Sequence, residues 1–422
     1  MMQKSHGWLF LALVSSLLQS STRDNGHFYR ATHFWDEPRL EKDFLSSLDI
    51  TFAGGWTKKG HNGNGDTVEL LNIYGLHNMH QLGLNVPGKD LTTQEDIALT
   101  LLSLVPSRDS FGKLEFSGSF ETTEANFAWT QNFIRGFFFQ AHLPVRQLQI
   151  TNIKFVDKSP TDCKFPNKNT PQWQMFLNLF NAILKKYNVS IANIKRTGIG
   201  DTTFLLGWTR NYEETEEIDL IDVTFKTGFL APTSRIKNED LAFDIPLGYN
   251  GHWAIPASLD IAIGAYDWLT VGAHLSGLFF FNKTRLIRMQ TSVEQNGFIK
   301  LAKGCALIDP GSLWHASGYL KADHVAQGLS LLLGYSLMHK NEDELTPVDT
   351  RSFNATAANS DEMLQGWQSH TLHFMIEYDF TKEESKVGPR VGLFFDYLVG
   401  GKRVFKTSMI GLGFGLEIMW NF

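Results

Sequence analysis

Hydrophobic and polar residues alternate with a period of two through most of the chain. The last segment shows this most clearly: large apolar residues occupy every second position from Ile410 to Phe422, and Gly411, Gly413, Gly415, Glu417 and Asn421 stand between them. Alternate side chains of a strand lie on opposite faces, so the pattern predicts a strand with one apolar and one small or polar face.

Similar alternation predicts a first strand at 45–57 and five hairpins upstream of the last strand. Their expected ranges and turns are 113–139 around Thr122–Ala125, 203–230 around Glu213–Glu217, 257–281 around Tyr266–Asp267, 312–339 around Asp323, and 370–399 around Lys382–Ser385. Five hairpins and two single strands predict about twelve strands, with fourteen as the alternative.

The turns inside the hairpins are short, whereas most connections between hairpins are long. The long connections are 58–112, 140–202, 231–256, 282–311 and 340–369, and Gly400–Arg403 precede the last strand. Short turns on one side and long loops on the other are typical of outer-membrane barrels. The pattern therefore predicts an all-β fold, an antiparallel up-and-down transmembrane β-barrel with long extracellular loops.

Composition is consistent with a membrane barrel. The 422 residues are 43% hydrophobic and 13% aromatic, and the net charge of −6 disfavours a nucleic-acid partner. No apolar run approaches the roughly 18 residues of a spanning helix, and a closed barrel also pairs every backbone group within lipid. Tryptophans at predicted strand ends suit a girdle at the membrane interfaces, namely Trp56, Trp129, Trp208, Trp268, Trp314 and Trp420.

The N-terminus predicts export. Residues 1–21 contain Lys4 and the apolar segment Trp8–Leu18, which is typical of a signal peptide. We expect 22–44 to be a short N-terminal periplasmic segment and 45–422 to be one barrel. The expected location is the bacterial outer membrane, with its lipid as a partner.

The last strand resembles the C-terminal strand of Gram-negative outer-membrane barrels. In that group the terminal aromatic belongs to the signal read by the barrel-assembly machinery. The resemblance implies that Trp420 and Phe422 form an assembly signal and that this machinery is a partner.

If the apolar faces meet lipid, the opposite faces line the lumen. The candidate lumen residues are Asp49, Glu115, Asp222, Lys226, Asp260, His274, His315, Lys321, His373, Glu377, Asp379, Arg390, Asp396 and Glu417. Such a face predicts either an interior closed by ion pairs or a narrow channel for a small polar or amphipathic solute, with its acidic excess favouring cations or neutral solutes.

Two long connections contain helix signals, and two contain cysteines. Thr170 and Pro171 predict a helix start before apolar residues at helical spacing up to Lys186, and Thr92 with Glu95 resembles a capping box. Cys163 and Cys305 fall in the second and fourth long connections, where they either form a disulfide across the barrel mouth or remain free thiols.

Gly198–Asp201 (GIGD), leading into Thr202–Trp208, together with the barrel layout, resembles outer-membrane transporters for hydrophobic compounds, the fatty-acid-transporter and phenol-pathway group. Those fatty-acid transporters have fourteen strands and an N-terminal plug, whereas this chain predicts twelve strands and a short N-terminal segment. The resemblance implies a transport function.

Two other function classes remain open at this point. His274-x-Ser276 and His315-x-Ser317 have the His and Ser spacing of outer-membrane phospholipases, but both pairs fall on the predicted inward face, away from bilayer lipid. A structural or adhesive barrel that acts through its loops is the third class. We expect no enzyme activity, no cofactor and no metal site.

Overall fold

The computed structural model describes residues 44–213, 218–266, 268–381 and 386–419. The predicted signal peptide, the 22–44 segment apart from Phe44, and the predicted assembly signal Trp420 and Phe422 lie outside the described residues. No helix in the described ranges is long and apolar enough to cross a membrane.

Twelve antiparallel strands close into a barrel, as the alternation predicted. They are β1 (Leu45–Thr57), β2 (Lys113–Asn132), β3 (Phe137–Asp157), β4 (Thr202–Glu213), β5 (Ile218–Ala231), β6 (Ala254–Ala265), β7 (Leu269–Phe280), β8 (Leu313–Ala326), β9 (Leu329–Lys340), β10 (Trp367–Asp379), β11 (Val387–Lys402) and β12 (Met409–Met419). Each strand pairs with its neighbours in sequence, and β1 pairs with β12 to close the sheet.

The outward-facing side chains of the barrel strands are mostly apolar. Leu48 on β1, Leu333 on β9 and Phe414 on β12 are each more than 40% exposed, whereas alternate positions on the same strands are buried. Among the described residues, exposed tryptophans lie near both ends of the barrel, and they are Trp56, Trp129, Trp253, Trp268 and Trp314. This is the architecture of an outer-membrane β-barrel, and it confirms the predicted fold class.

The predicted turn at Thr122–Ala125 is wrong. Strand β2 runs through this segment to Asn132, and the turn to β3 occupies residues 133–136, with Arg135 and Gly136 at positive φ. The polar run resembles a turn in the sequence, but Thr122 and Glu124 face inward from a continuous strand.

The predicted orientation of the first part of β2 is also wrong. Leu114, Phe116 and Phe120 are buried on the inward face, so Glu115 lies on the outward face, where it forms an ion pair with Lys158 at 2.6 Å. This part of β2 packs on the core of the folded loops. Apolar residues therefore point inward here, the reverse of the lipid-embedded part.

Two other boundaries differ from expectation. Strand β8 continues past Asp323, and the turn falls at 327–328, where Gly328 has positive φ. The last barrel strand begins at Met409, because Val404 and Phe405 pair with His61 and Gly60 in a separate small sheet. We call the end of the barrel where short turns join the two strands of each hairpin, such as β8 and β9, the short-turn end. The opposite end is called the loop end.

The long connections fold into a compact structure over the loop end, here called the cap. Its helices are α1 (Met79–Leu82), α2 (Gln94–Ser103), α3 (Pro171–Lys186) and α4 (Ala355–Asn359), with a 3-10 turn at Leu70–Asn72. Its short strands are Lys59–His61, Thr67–Glu69, His77–Asn78, Ile194–Ile199, Lys283–Arg288, Lys303–Asp309, Glu344–Pro347 and Val404–Phe405. One buried apolar core connects most of these elements with Phe116, Phe120 and Ile150 of the barrel.

Helix α3 begins at Pro171, as the sequence predicted, and buries Trp173, Phe176 and Phe180 in the cap core. The predicted capping box is wrong: α2 is preceded by Thr93, whose side chain makes no cap hydrogen bond, and Thr92 hydrogen-bonds Asp90 instead. A buried Asp96 joins the two helices.

The carboxylate of Asp96 accepts hydrogen bonds from Lys186 Nζ at 2.6 Å and from the Tyr187 hydroxyl at 2.7 Å. A buried carboxylate needs such partners, because burial without them costs several kcal/mol. The contact therefore fixes α3 against α2.

Cys163 and Cys305 are both exposed and are not bonded to each other. Cys305 lies on the strand Lys303–Asp309, where it pairs with Leu286, and Cys163 lies in the segment that precedes α3. The structure therefore contains two free thiols rather than the disulfide.

The burial of His77 predicts that the cap loses stability in acid. Its ring lies among Phe116, Phe243 and Phe298, its Nε2 accepts a hydrogen bond from the Phe298 amide at 3.1 Å, and burial lowers its pKa to about 3. The unfolded chain binds a proton below its ordinary value of 6.5, and the folded cap does not. Between pH 6.5 and about pH 3, this one group should therefore lower the free energy of unfolding of the cap by about 1.4 kcal/mol for each pH unit of acidification.

The measurement is hydrogen exchange of cap amides between pH 7.5 and pH 5. The variant His77→Gln keeps a hydrogen-bond acceptor but has no group that titrates in this range, so its cap should lose less stability on acidification. Equal pH slopes for the two proteins would contradict the role of His77.

Candidate functional site: the barrel lumen and the cavity below the cap

The short-turn end of the lumen is acidic. Glu377, Asp379 and Glu417 lie on inward positions of β10 and β12, and Arg390 donates to Asp49 at 2.7 Å across β12. Strand β12 carries Gly415 between these two groups, and a Cβ there would lie 2.3 Å from Arg390 Nε. The glycine thus leaves space for an ion pair that crosses its strand.

Further into the barrel, one row of directly paired inward residues spans eight strands. The row runs from β8 to β12 and continues through β1 and β2 to β3. Its members in this order are Lys321, Leu332, Met375, Phe394, Gly411, Ala53, Glu124 and Arg146. Leu332, Met375 and Phe394 form an apolar cluster with Ala53 and Tyr319 packed against it. The row is therefore apolar on one part of the wall and charged on the other.

Glu124 and Arg146 form a buried ion pair at 2.5 Å, with side chains 5% and 1% exposed. Neither residue is among the candidates that the sequence predicts, because Glu124 falls in the predicted turn and Arg146 in the predicted connection 140–202. The alternation from Phe120 to Asn132 is the signal that could have placed Glu124 on an inward face.

A second row, nearer the loop end, is polar in seven consecutive strands from β4 to β10. Its members are Thr209, Thr224, Asp260, His274, Ser317, Ser336 and Thr371. On β9 the two rows are separated by the step from Leu332 to Ser336. We call the row that contains Leu332 the apolar row and the row that contains Ser336 the polar row. The apolar and polar levels of the lumen are the heights at which these two rows lie.

Two Asp-His-Ser networks pass through the polar level. His274 Nδ1 contacts Asp260 and its Nε2 contacts Ser276 Oγ at 2.9 Å, while Lys226 pairs with Asp260 at 3.2 Å. His315 lies beside His274, with ring centroids 5.1 Å apart.

The second network joins β9, β10 and β11. His373 Nδ1 contacts Asp396 at 2.7 Å and its Nε2 contacts Ser336 Oγ at 2.7 Å. Ser276 and Ser336 are 2% and 3% exposed. A nucleophile must meet its substrate, and these hydroxyls are packed inside the wall, so the networks hold strands together rather than present a hydrolytic site.

An apolar cluster, here called the collar, lines the loop end of the lumen on seven of the twelve strands. Leu230, Ala254, Leu278, Leu313, Met338, Trp367, Leu398 and Val404 form one buried cluster, with Tyr249 and Phe280 packed against it. All except Val404 lie on strands β5 to β11. A solute that enters the lumen from the cap on this side passes the collar.

Between the collar and the cap lies a cavity of about 200 Å³. Tyr249 and Phe280 of the collar line its floor, and Tyr74 and Phe298 of the cap line it as well. Its charged lining groups are largely paired within the wall, as in the buried ion pair of Lys300 with Asp361. The lining therefore combines apolar side chains with equal numbers of acidic and basic ones.

The GIGD segment positions one wall of this cavity. Asp201, fully buried before β4, accepts hydrogen bonds from the amides of Ser234 at 3.0 Å and Tyr249 at 2.5 Å. A Cβ on Gly248 would lie 2.3 Å from Asp201 Oδ2. The carboxylate thus ties the segment that carries Tyr249 to the start of a barrel strand.

The structure places all candidate lumen residues except Glu115 on the inward face of their strands. They are Asp49, Asp222, Lys226, Asp260, His274, His315, Lys321, His373, Glu377, Asp379, Arg390, Asp396 and Glu417. Lys321 pairs with Asp323 at 2.9 Å. Most of these charges therefore stabilise the wall; at the short-turn end Glu377 and Asp379 are half-buried and Glu417 is buried.

No family model and no curated protein matches the sequence. Among solved structures, an outer membrane channel from Pseudomonas putida F1 aligns over 89% of this chain and 96% of its own, with 10% identity and a TM-score of 0.49.

Two other solved structures have still lower TM-scores. A Pseudomonas aeruginosa FadL homologue aligns over 89% and 90%, with 9% identity and a TM-score of 0.29, and the Pseudomonas putida toluene transporter TodX aligns over 96% of both chains, with 12% identity and a TM-score of 0.28. At these values the likeness establishes neither a family nor a function for this chain.

Proposed function

We propose that this protein is an outer-membrane channel that passes a small amphipathic solute from the cavity below the cap into the barrel lumen. The observation that carries the proposal is the row with Leu332, Met375 and Phe394 on one part of the wall and the Glu124 and Arg146 pair on the other. A solute with an apolar body and a polar group can contact both parts at once.

The cavity supports the same solute class. Its lining combines aromatic rings with charged groups that are paired in the wall, so an uncharged solute body enters without breaking an ion pair. Twelve strands also enclose a narrower interior than the sixteen strands of wide porins, which favours a restricted pathway.

Neutralising the acidic short-turn end tests the channel. The triple variant Glu377→Gln, Asp379→Asn and Glu417→Gln should reduce the preference for cations in planar bilayers, most clearly at low salt, where charges are least screened. The matched control is Glu115→Gln, which changes a carboxylate outside the lumen and should leave selectivity unchanged.

Uptake of a neutral aromatic alcohol and of a sugar into liposomes measures the solute preference. Faster entry of the alcohol supports an amphipathic pathway. A folded protein that passes neither ions nor solutes would contradict the proposed function.

A further inference from the structure

Three aromatic side chains of the lumen lie against glycines of the neighbouring strand. A Cβ built on Gly272 would lie 2.1 Å from the Tyr319 ring, one on Gly411 would lie 2.2 Å from the Phe394 ring, and one on Gly207 would lie 2.1 Å from the Phe138 ring. Each ring therefore occupies the space that a side chain of its partner would fill, and lies close to the wall.

These contacts recur in the barrel in a regular way. Each aromatic residue is the direct cross-strand partner of its glycine, and the strand pairs are β3 with β4, β7 with β8, and β11 with β12. Cross-strand partners have the closest side chains in a sheet, so the residue type on one strand limits where the other side chain can lie.

Two of the rings belong to the apolar cluster of the lumen. Phe394 is part of the apolar cluster with Leu332 and Met375, and Tyr319 packs against that cluster. Along β8, Tyr319 lies between Lys321 of the apolar row and Ser317 of the polar row. A solute that moves between the two levels has to pass these rings.

We propose that Gly272 and Gly411 set the width of the lumen by holding Tyr319 and Phe394 against the wall, and so determine the largest solute that passes. The inference rests on the proposed function for its transport consequence. Its structural part, the position of the rings, can be tested without transport.

Gly272→Ala is the sharpest variant, because the three nearest atoms to its new Cβ all belong to the movable Tyr319 side chain. On Gly411 a Cβ would also lie 2.4 Å from the Phe52 carbonyl oxygen, so that variant also strains the backbone. The matched control is Gly413→Ala, a glycine on the same inward face of β12 whose Cβ would meet its nearest atom at 3.7 Å.

The direct readout is thiol labelling of Ser317→Cys, just beyond Tyr319, in a protein whose exposed Cys163 and Cys305 are replaced by serine. Gly272→Ala should slow labelling by a bulky reagent by about twofold or more, since pore diameter controls access. Gly413→Ala should not, and Gly272→Ala with Tyr319→Ala should restore or exceed the original rate. A heat-modifiability gel shows that each variant is folded.

Conductance is measured on the same variants and should follow the labelling rates. Unchanged labelling in folded Gly272→Ala, or no recovery in the double variant, would overturn the inference whether or not the protein conducts. If labelling changes as expected but the protein passes no ion or solute, the role of the glycines in positioning the rings stands and the proposed channel is overturned instead.

Discussion

Replacing Arg146 by methionine should lower the free energy of unfolding by about 3 to 5 kcal/mol, the cost of breaking a buried ion pair. The substitution leaves the carboxylate of Glu124, 5% exposed, without the guanidinium 2.5 Å away. A desolvated charge that loses its partner is more costly than the pair was favourable. Urea titration of the barrel in lipid vesicles measures the loss.

The double variant Glu124→Gln with Arg146→Met is the control, because it removes both charges together. It should recover a large part of the stability lost in Arg146→Met. If the double variant is less stable than the single one, the loss comes from packing of the arginine and not from the unpaired charge.

Replacing Phe414 by arginine should cost about 2 to 4 kcal/mol, the range for a cation on the lipid face near the bilayer midplane. Phe414 lies midway along β12, is 44% exposed on the outer wall, and pairs with Ile50 and Val391. The guanidinium would have to enter hydrocarbon or distort the bilayer to reach water.

Two variants bracket this result. Phe414→Leu keeps the apolar surface and should be nearly neutral, while Gly413→Arg places the same cation on the inward face and should change conductance. A larger loss of membrane-folded protein in Gly413→Arg than in Phe414→Arg would mean that the faces are assigned the wrong way round.

The lipid-embedded part of the barrel could be predicted closely from the sequence. A strand of period two that lies between lipid and a polar lumen has to keep its apolar residues on one face, and β1, β7 and β12 do so over most of their lengths. This constraint is local to each strand. It is visible in a single sequence without knowledge of the partner strands.

Prediction failed where the environment of a strand changes along its length. The first part of β2 leaves the membrane zone and packs on the cap, so Phe116 and Phe120 point inward and Glu115 points outward. Thr122 and Glu124 resemble a turn in the sequence, because the residues they pair with lie on β1 and β3, and Arg146, the ion-pair partner of Glu124, is 22 residues away along the chain.

Several features could be inferred from the chain alone, because they follow from periods of two and of 3.6 along continuous segments. They are the twelve-stranded barrel, its short-turn and loop ends, helix α3 and the inward face of most candidate residues. The folded structure was needed to show that the loops share one core, that Arg146 meets Glu124, and that Tyr319 lies on Gly272. These contacts join segments that are distant in sequence. Their geometry depends on barrel closure and register, which no local pattern contains.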